Sequence, residues 1–315
     1  SCLIVFLHKF INFKVYYLLK KYKLISIHIM VLMLGFTGIL GKLIELSNTH
    51  LVWYRMLLAF ITLFLFAIYK KQLFKIPKKT FLSLLVIGFI VALHWIFFFG
   101  AIKSSNVSVA VICMSTGSLF SALLEPIFFN RKILKYEVIF GFIALLSLSY
   151  MMYEKPDDID TNYSLGYTYG IISAFLGTLF TILNAKYIQK IEASMITMTE
   201  MLGGTLLLTM YFVFIGDYSI FYTKIQVDDF IYLLILATIC TAGIFVWMTE
   251  IMKHVTPYSL IMAINLEPVY TILLGLVIFG ESEKMNFAFY IGSFIILSLV
   301  FIESHLKNKK VKNDY

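Results

Sequence analysis

The sequence predicts an all-α polytopic membrane protein, with ten transmembrane helices arranged as two inverted five-helix repeats. Composition, segment length and a faint internal repeat each point there. Of the 315 residues, 60% are hydrophobic and only 14% charged, with a mean hydropathy of +0.89; soluble domains run near 25% charged. Ten apolar segments follow one another near 27–46, 51–69, 81–102, 106–129, 135–153, 164–186, 194–215, 229–251, 257–279 and 286–304. Each is long enough to cross a hydrocarbon layer of about 30 Å as a helix. Sliding the chain by 150 residues lays Ala101–Arg131 on Ile251–Glu281 without a gap, matching Lys103 to Lys253, Leu123 to Leu273, Leu124 to Leu274 and Phe129 to Phe279. At a shift of 151, Gly141 meets Gly292 and Leu146-Ser147-Leu148 meets Leu297-Ser298-Leu299. A unit of five spans is odd, so its second copy must enter the membrane upside down.

Residues 1–26 mix apolar residues with His8, Lys9, Lys14, Lys20, Lys21 and Lys23. The apolar part is too short and too interrupted to span, and no small-residue cleavage site follows it. It reads as a cytoplasmic, membrane-surface extension. Residues 27–153 then form the first repeat, 164–304 the second, and 305–315 a basic cytoplasmic tail. Lysine and arginine orient the chain. With the N-terminus inside, 20 of the 26 fall in the inner segments around 9–23, 70–79, 131–135, 186–190, 253 and 307–312. Both termini are therefore expected in the cytoplasm, and the acidic loop Glu154 to Asp160 outside. The net charge of +8 is thus topology signalling, and no nucleic-acid partner is implied.

The ninth span carries the strongest functional signal. Its middle reads Asn265-Leu266-Glu267-Pro268. A charge at the centre of a membrane helix costs about 2.5–3.5 kcal/mol on insertion scales, so it faces a partner or a watery cavity. Pro268 lacks the backbone N–H and invites a kink. A charge and a broken helix at mid-depth suit a transporter's working centre. A structural carboxylate that pairs with a neighbouring helix is the plainer alternative.

Other polar residues inside spans are candidates for contact with a solute or coupling ion. Ser115, Thr116 and Ser118 sit mid-way along the fourth span, opposite Asn265 and Glu267 in the repeat; small hydroxyls also serve helix packing. His94 and Trp95 lie just past the middle of the third span, offering a proton-exchanging ring and an aromatic wall. Arg55 in the second span and Glu200 in the seventh occupy roughly matching repeat positions, as cavity or gate charges or as snorkelling side chains. Glu125-Pro126 imitates Glu267-Pro268, but lies two helical turns out of register, near Arg131, where an interfacial ion pair suits it better. Gly35, Gly38 and Gly41 lack the spacing of a phosphate loop; with Gly166, Gly170 and Ala174 they read as close packing positions. Cys2, Cys113 and Cys240 form no close-spaced pair, and the six histidines show no ligand spacing. No metal and no cofactor is expected.

Several motifs together resemble the EamA family of the drug/metabolite transporter superfamily. They are Gly35-Phe36-Thr37-Gly38-Ile39-Leu40-Gly41-Lys42, Trp53-Tyr54-Arg55, Ser104-Ser105-Asn106-Val107-Ser108-Val109-Ala110, Leu266-Glu267-Pro268-Val269 and Phe279-Gly280-Glu281. The first repeat departs from the pattern, with Ser118 at the place of Pro268 and Arg131 at that of Glu281. The resemblance implies a multi-pass transporter of the bacterial plasma membrane that moves a small metabolite or drug-like solute outward. With no nucleotide-binding motif, the solute's own gradient or an ion gradient drives it, with protons one candidate and the coupling ion not legible in the sequence. A membrane-embedded enzyme or a non-transporting scaffold are the rival classes. Neither substrate identity nor oligomeric state is legible.

Overall fold

A computed structural model describes residues 23–71, 76–129, 132–153, 161–253 and 257–313. Most of the N-terminal extension, the acidic loop 154–160 and Arg131, with its expected pairing to Glu125, lie outside the described residues.

In a bilayer every backbone polar group must be satisfied within the segment, so uninterrupted apolar runs become helices. Along the chain these are α1 (Lys23–Leu43), α2 (Asn48–Tyr69), α3 (Lys78–Ser104), α4 (Val107–Met114), α5 (Gly117–Phe129), α6 (Lys135–Tyr153), α7 (Tyr163–Asn184) and α8 (Ala193–Phe214). There follow α9 (Val227–Ala237), a π-helical stretch Thr238–Gly243, α10 (Ile244–Ile251), α11 (Pro257–Ile264), α12 (Glu267–Phe279) and α13 (Phe287–Asn313). Polar residues at the junctions start them. Ser47, Asn106 and Asn162 accept from the backbone N–H groups of His50, Val109 and Leu165, satisfying donors that a helix start leaves free.

Among the described residues, seven helices are long and apolar enough to cross a membrane, counting α4 with α5 and α9 through α10 as single crossings. The remaining three expected segments appear as shorter pieces: His28–Leu43, the broken pair α11 and α12, and Phe287–Leu299. The last helix continues unbroken to Asn313, through what the sequence suggested was a separate tail.

The sequence predicts one kink, at Pro268. The structure has two breaks, at Ser115–Thr116 and at Asn265–Leu266. They are 150 residues apart, and the flanking helices agree to the residue: adding 150 to 107–114 and 117–129 gives 257–264 and 267–279. Proline cannot be the common cause, because Ser118 stands where the second repeat has Pro268. At the first break hydroxyls add to the carbonyls, and the Cys113 carbonyl also accepts the Thr116 N–H at 3.0 Å. Thr116 Oγ1 donates to the Cys113 carbonyl at 2.7 Å and Ser118 Oγ to that of Ser115 at 3.1 Å.

Helices meet where side chains are smallest. A Cβ on Gly35 would stand 2.5 Å from Thr271 Oγ1, and one on Gly41 would stand within the Phe99 ring's contact distance at 2.1 Å, so α1 lies close on α12 and α3. Gly88 and Gly203 face opposing backbone: a Cβ there would stand 2.1 Å from the Glu200 carbonyl oxygen and 2.3 Å from that of Leu85, respectively. Those two positions hold α3 against α8 and admit no side chain.

Candidate functional site

The two breaks meet at one central, half-enclosed cavity, lined from α1, α2, α3, α4, α5, α7, α10, α11 and α12. Its volume is about 80 Å³, and at roughly 10–15 Å³ per water that is room for several waters or a small solute. Four residue pairs separated by 150 line it: Phe98 and Met248, Met114 and Ile264, Gly117 and Glu267, Trp95 and Phe245. The last two rings touch, with centroids 5.0 Å apart. The walls are apolar and aromatic, with Phe180 stacked on Phe245 at 5.9 Å.

Seven polar side chains interrupt those walls: the hydroxyls of Thr37, Thr178 and Thr181, and Arg55, His94, Asn265 and Glu267. Arg55 is 1% exposed, which excludes snorkelling. Its Nε donates to Thr241 Oγ1 at 2.6 Å, and its guanidinium stacks 3.7 Å from the Trp95 ring centre. Nη1 has no partner. Thr241 can receive it because the π-helical stretch turns its hydroxyl inward, where it donates to the Leu236 carbonyl five residues back at 2.6 Å. Such bulges are common at functional sites. His94 Nδ1 donates to the Ser173 carbonyl at 2.8 Å; a carbonyl only accepts, so Nδ1 carries the proton and Nε2 is an acceptor. Asn265 is 2% exposed, and its Nδ2 has no partner. Glu267, 7% exposed, opens α12 and lines the cavity without a hydrogen bond or ion pair among the described residues. Arg55 and Glu267 thus share a cavity without being bonded to one another.

The cavity reaches toward one end of the bundle. Thr178 and Thr181 lie in the last turns of α7, Met248 in the last turn of α10, and Ile261 one turn into α11. Those helix ends lead to Lys186 and Lys253. The opposite end is closed by packed apolar residues, among them Phe99, Val107 and Ile44, all 0% exposed. Glu283 ties that closed end together. It is fully buried and accepts from Val107 N at 3.0 Å, Ser108 N at 2.9 Å, Ser108 Oγ at 2.7 Å and Lys42 Nζ at 2.8 Å.

Of the residues singled out in the sequence, Glu267, Asn265, His94, Trp95 and Arg55 come together here. Pro268 is buried in the first turn of α12, next to them. Ser115, Thr116 and Ser118 form the first break without lining the cavity; Thr116 and Ser118 are spent on backbone carbonyls, while Ser115 Oγ is buried without a partner. Glu200 lies apart, fully buried beside Asn184. Glu125 is 3% exposed, and its expected partner Arg131 lies outside the described residues. Sequence reasoning missed Gly117, Thr241 and Glu283. The shift of 150 that carries Gly117 to Glu267 was a usable signal; no pattern marks the other two.

A search of curated proteins gave no match. A solved crystal structure, described only as that of a protein, shares 13% identity over 89% of this chain and 96% of its own, with a TM-score of 0.65. At that identity the likeness concerns the fold. The profile of the EamA-like transporter family matches residues 21–153 and again 164–303. The two matches coincide with the two sets of helices that meet at the cavity. This chain is therefore a multi-pass membrane protein of the EamA-like transporter family, within the drug/metabolite transporter superfamily.

Proposed function

We propose that the protein is a secondary transporter exporting a small solute by alternating access, with ten spans forming two inverted repeats in the bacterial plasma membrane and both termini cytoplasmic. The observation that carries the reading is the central cavity itself: both helix breaks open onto it, and Arg55 Nη1 and Asn265 Nδ2 are buried in its wall without partners. Unpaired buried donors cost about 1–3 kcal/mol each, which a bound solute recovers by accepting from them. Arg55 and Asn265 suit an acceptor group on the solute, Glu267 a donor, and the walls of Phe98, Phe180 and Phe245 an apolar body. Inversion is supported by the pairing of residues 150 apart across the cavity. Export and the bacterial membrane rest on the family resemblance, and the inside location of the termini on the lysine distribution.

Glu267 is the proposed coupling residue. In one orientation it carries a proton, and in the other it releases the proton and holds the solute, with Asn265 and His94 as polar neighbours.

Flux of labelled candidate solutes in proteoliposomes, with and without a pH gradient, tests the reading. Gradient-dependent flux supports it, and chemical conversion of the solute without movement overturns it. Cysteine labelling tests the topology, with residues 70–79 and 307–315 expected inside and 154–162 outside. An external 307–315 segment would require an odd number of crossings.

A further inference from the structure

A larger hollow than the central cavity, about 390 Å³, lies away from it between α2, the start of α3 and α8. Phe60 and Phe64 form one wall, Phe81 the second, and Met195, Met198 and Leu202 the third. Nothing in it calls for a polar ligand: its one hydroxyl, on Thr199, donates to the Met195 carbonyl at 2.8 Å. Phe64, 36% exposed, leaves the hollow open on the flank of the bundle, which in a membrane protein faces lipid.

The mouth of this groove is charged. Lys78 lines it, Lys79 follows, and Lys70 and Lys71 end α2 beside it. Between Glu45 and Glu125 the chain has no acidic residue. From the third wall only Glu192, at the start of α8, brings a carboxylate to this end, and it forms no ion pair among the described residues. The dimensions match a lipid. From Phe60 to Tyr69 is nine residues of helix, about 13 Å at 1.5 Å per residue, and half of a hydrocarbon core of roughly 30 Å is about 15 Å.

We propose that this groove is a binding site for an anionic phospholipid, one acyl chain lying between α2 and α8 and the phosphate held by Lys78 and Lys79. Basic pockets between membrane helices recognise acidic headgroups in this manner. The groove shares no lining residue with the central cavity, so the site stands whatever solute is carried there.

Native mass spectrometry of the full, delipidated chain in detergent tests it, titrating phosphatidylglycerol against phosphatidylcholine with identical acyl chains. The first phosphatidylglycerol should bind at least about tenfold more tightly. A lysine near an anionic lipid is worth roughly fivefold, so Lys78→Ala with Lys79→Ala should cost up to about 25-fold in phosphatidylglycerol affinity and leave phosphatidylcholine unchanged. Both lysines are exposed, so the pair of substitutions does not threaten folding. Leu202→Trp, which fills the groove, should weaken both lipids. Equal affinity for the two lipids, an unchanged affinity in the double lysine variant, or equally tight binding of glycerol phosphate without chains would each overturn the proposal.

Discussion

Removing Glu283 should unfasten the closed end of the cavity, and the structure allows the cost to be worked out. Its two oxygens accept from two backbone N–H groups, one hydroxyl and the Lys42 ammonium, all between 2.7 and 3.0 Å. Glu283→Ala leaves the buried N–H groups of Val107 and Ser108 unanswered, and leaves the Lys42 ammonium, only 25% exposed, with just the Ser282 hydroxyl at 2.9 Å and the Phe279 ring. Hydrogen bonds to charged groups are worth about 1.5–3 kcal/mol each, and breaking a buried pair by deleting one partner about 3–5 kcal/mol. The two figures describe the same contacts and do not add, so about 4 kcal/mol is the working value. For a chain of this size that is a fall of on the order of 8 °C in Tm. Glu281, two residues earlier, supplies the control: it pairs with Lys284 but is 84% exposed, and solvent-exposed pairs contribute little to stability. Thermal unfolding of both variants in one detergent decides the matter. Because Glu283 joins the ends of α1, α4 and α12, its loss should also raise labelling of a cysteine placed at Val107 from that side. If Glu283→Ala unfolds within a degree of Glu281→Ala, the four contacts do not hold this end closed.

Glu267→Gln should abolish proton-driven flux while preserving solute exchange, which requires no change of protonation; a wild-type pH profile in reconstituted vesicles would make the carboxylate structural. Arg55→Lys keeps the charge but loses the Nε bond to Thr241 and the flat stack on Trp95, the latter worth about 2 kcal/mol when desolvated. Solute affinity should fall by up to about 30-fold, the equivalent of that amount, and unchanged affinity and rate would remove Arg55 from the path. Pro268→Ala should retain both the helix break and the pH dependence, since Ser115–Thr116 breaks without proline, and should slow only the conformational step. A variant that loses its pH dependence instead would make the proline part of the coupling.

The spans were legible because the bilayer allows an apolar run few alternatives, and the repeat because matched breaks leave matched residues behind. What stayed hidden depends on local geometry finer than periodicity. Glu281 and Glu283 differ by two residues in one tight turn, Gly280–Glu283, and that rotation alone sends one to solvent and the other to the core. The π-helical stretch Thr238–Gly243 has no composition to announce it, yet without it Thr241 would not meet Arg55. Arg55 itself was visible as an ionisable residue in a span. Its choice between cavity and surface, however, is set by the packing of α2 against neighbours distant in sequence.

The two repeats share a backbone but divide the chemistry. Both break at the same register, and each break presents the start of a half-helix to the cavity, Gly117 from one copy and Glu267 from the other. Placing a carboxylate at both positions would set two like charges across a space of about 80 Å³, a repulsion little screened away from bulk water. A glycine in the first copy avoids that, and it leaves the space into which Arg55 faces Glu267 unbonded. The same division appears in the aromatic pair, where Trp95 carries the guanidinium and Phe245 completes the wall. On the proposed transport reading, a cavity that sets the Arg55 guanidinium and the Glu267 carboxyl group in its wall would receive a solute with unlike ends in one orientation.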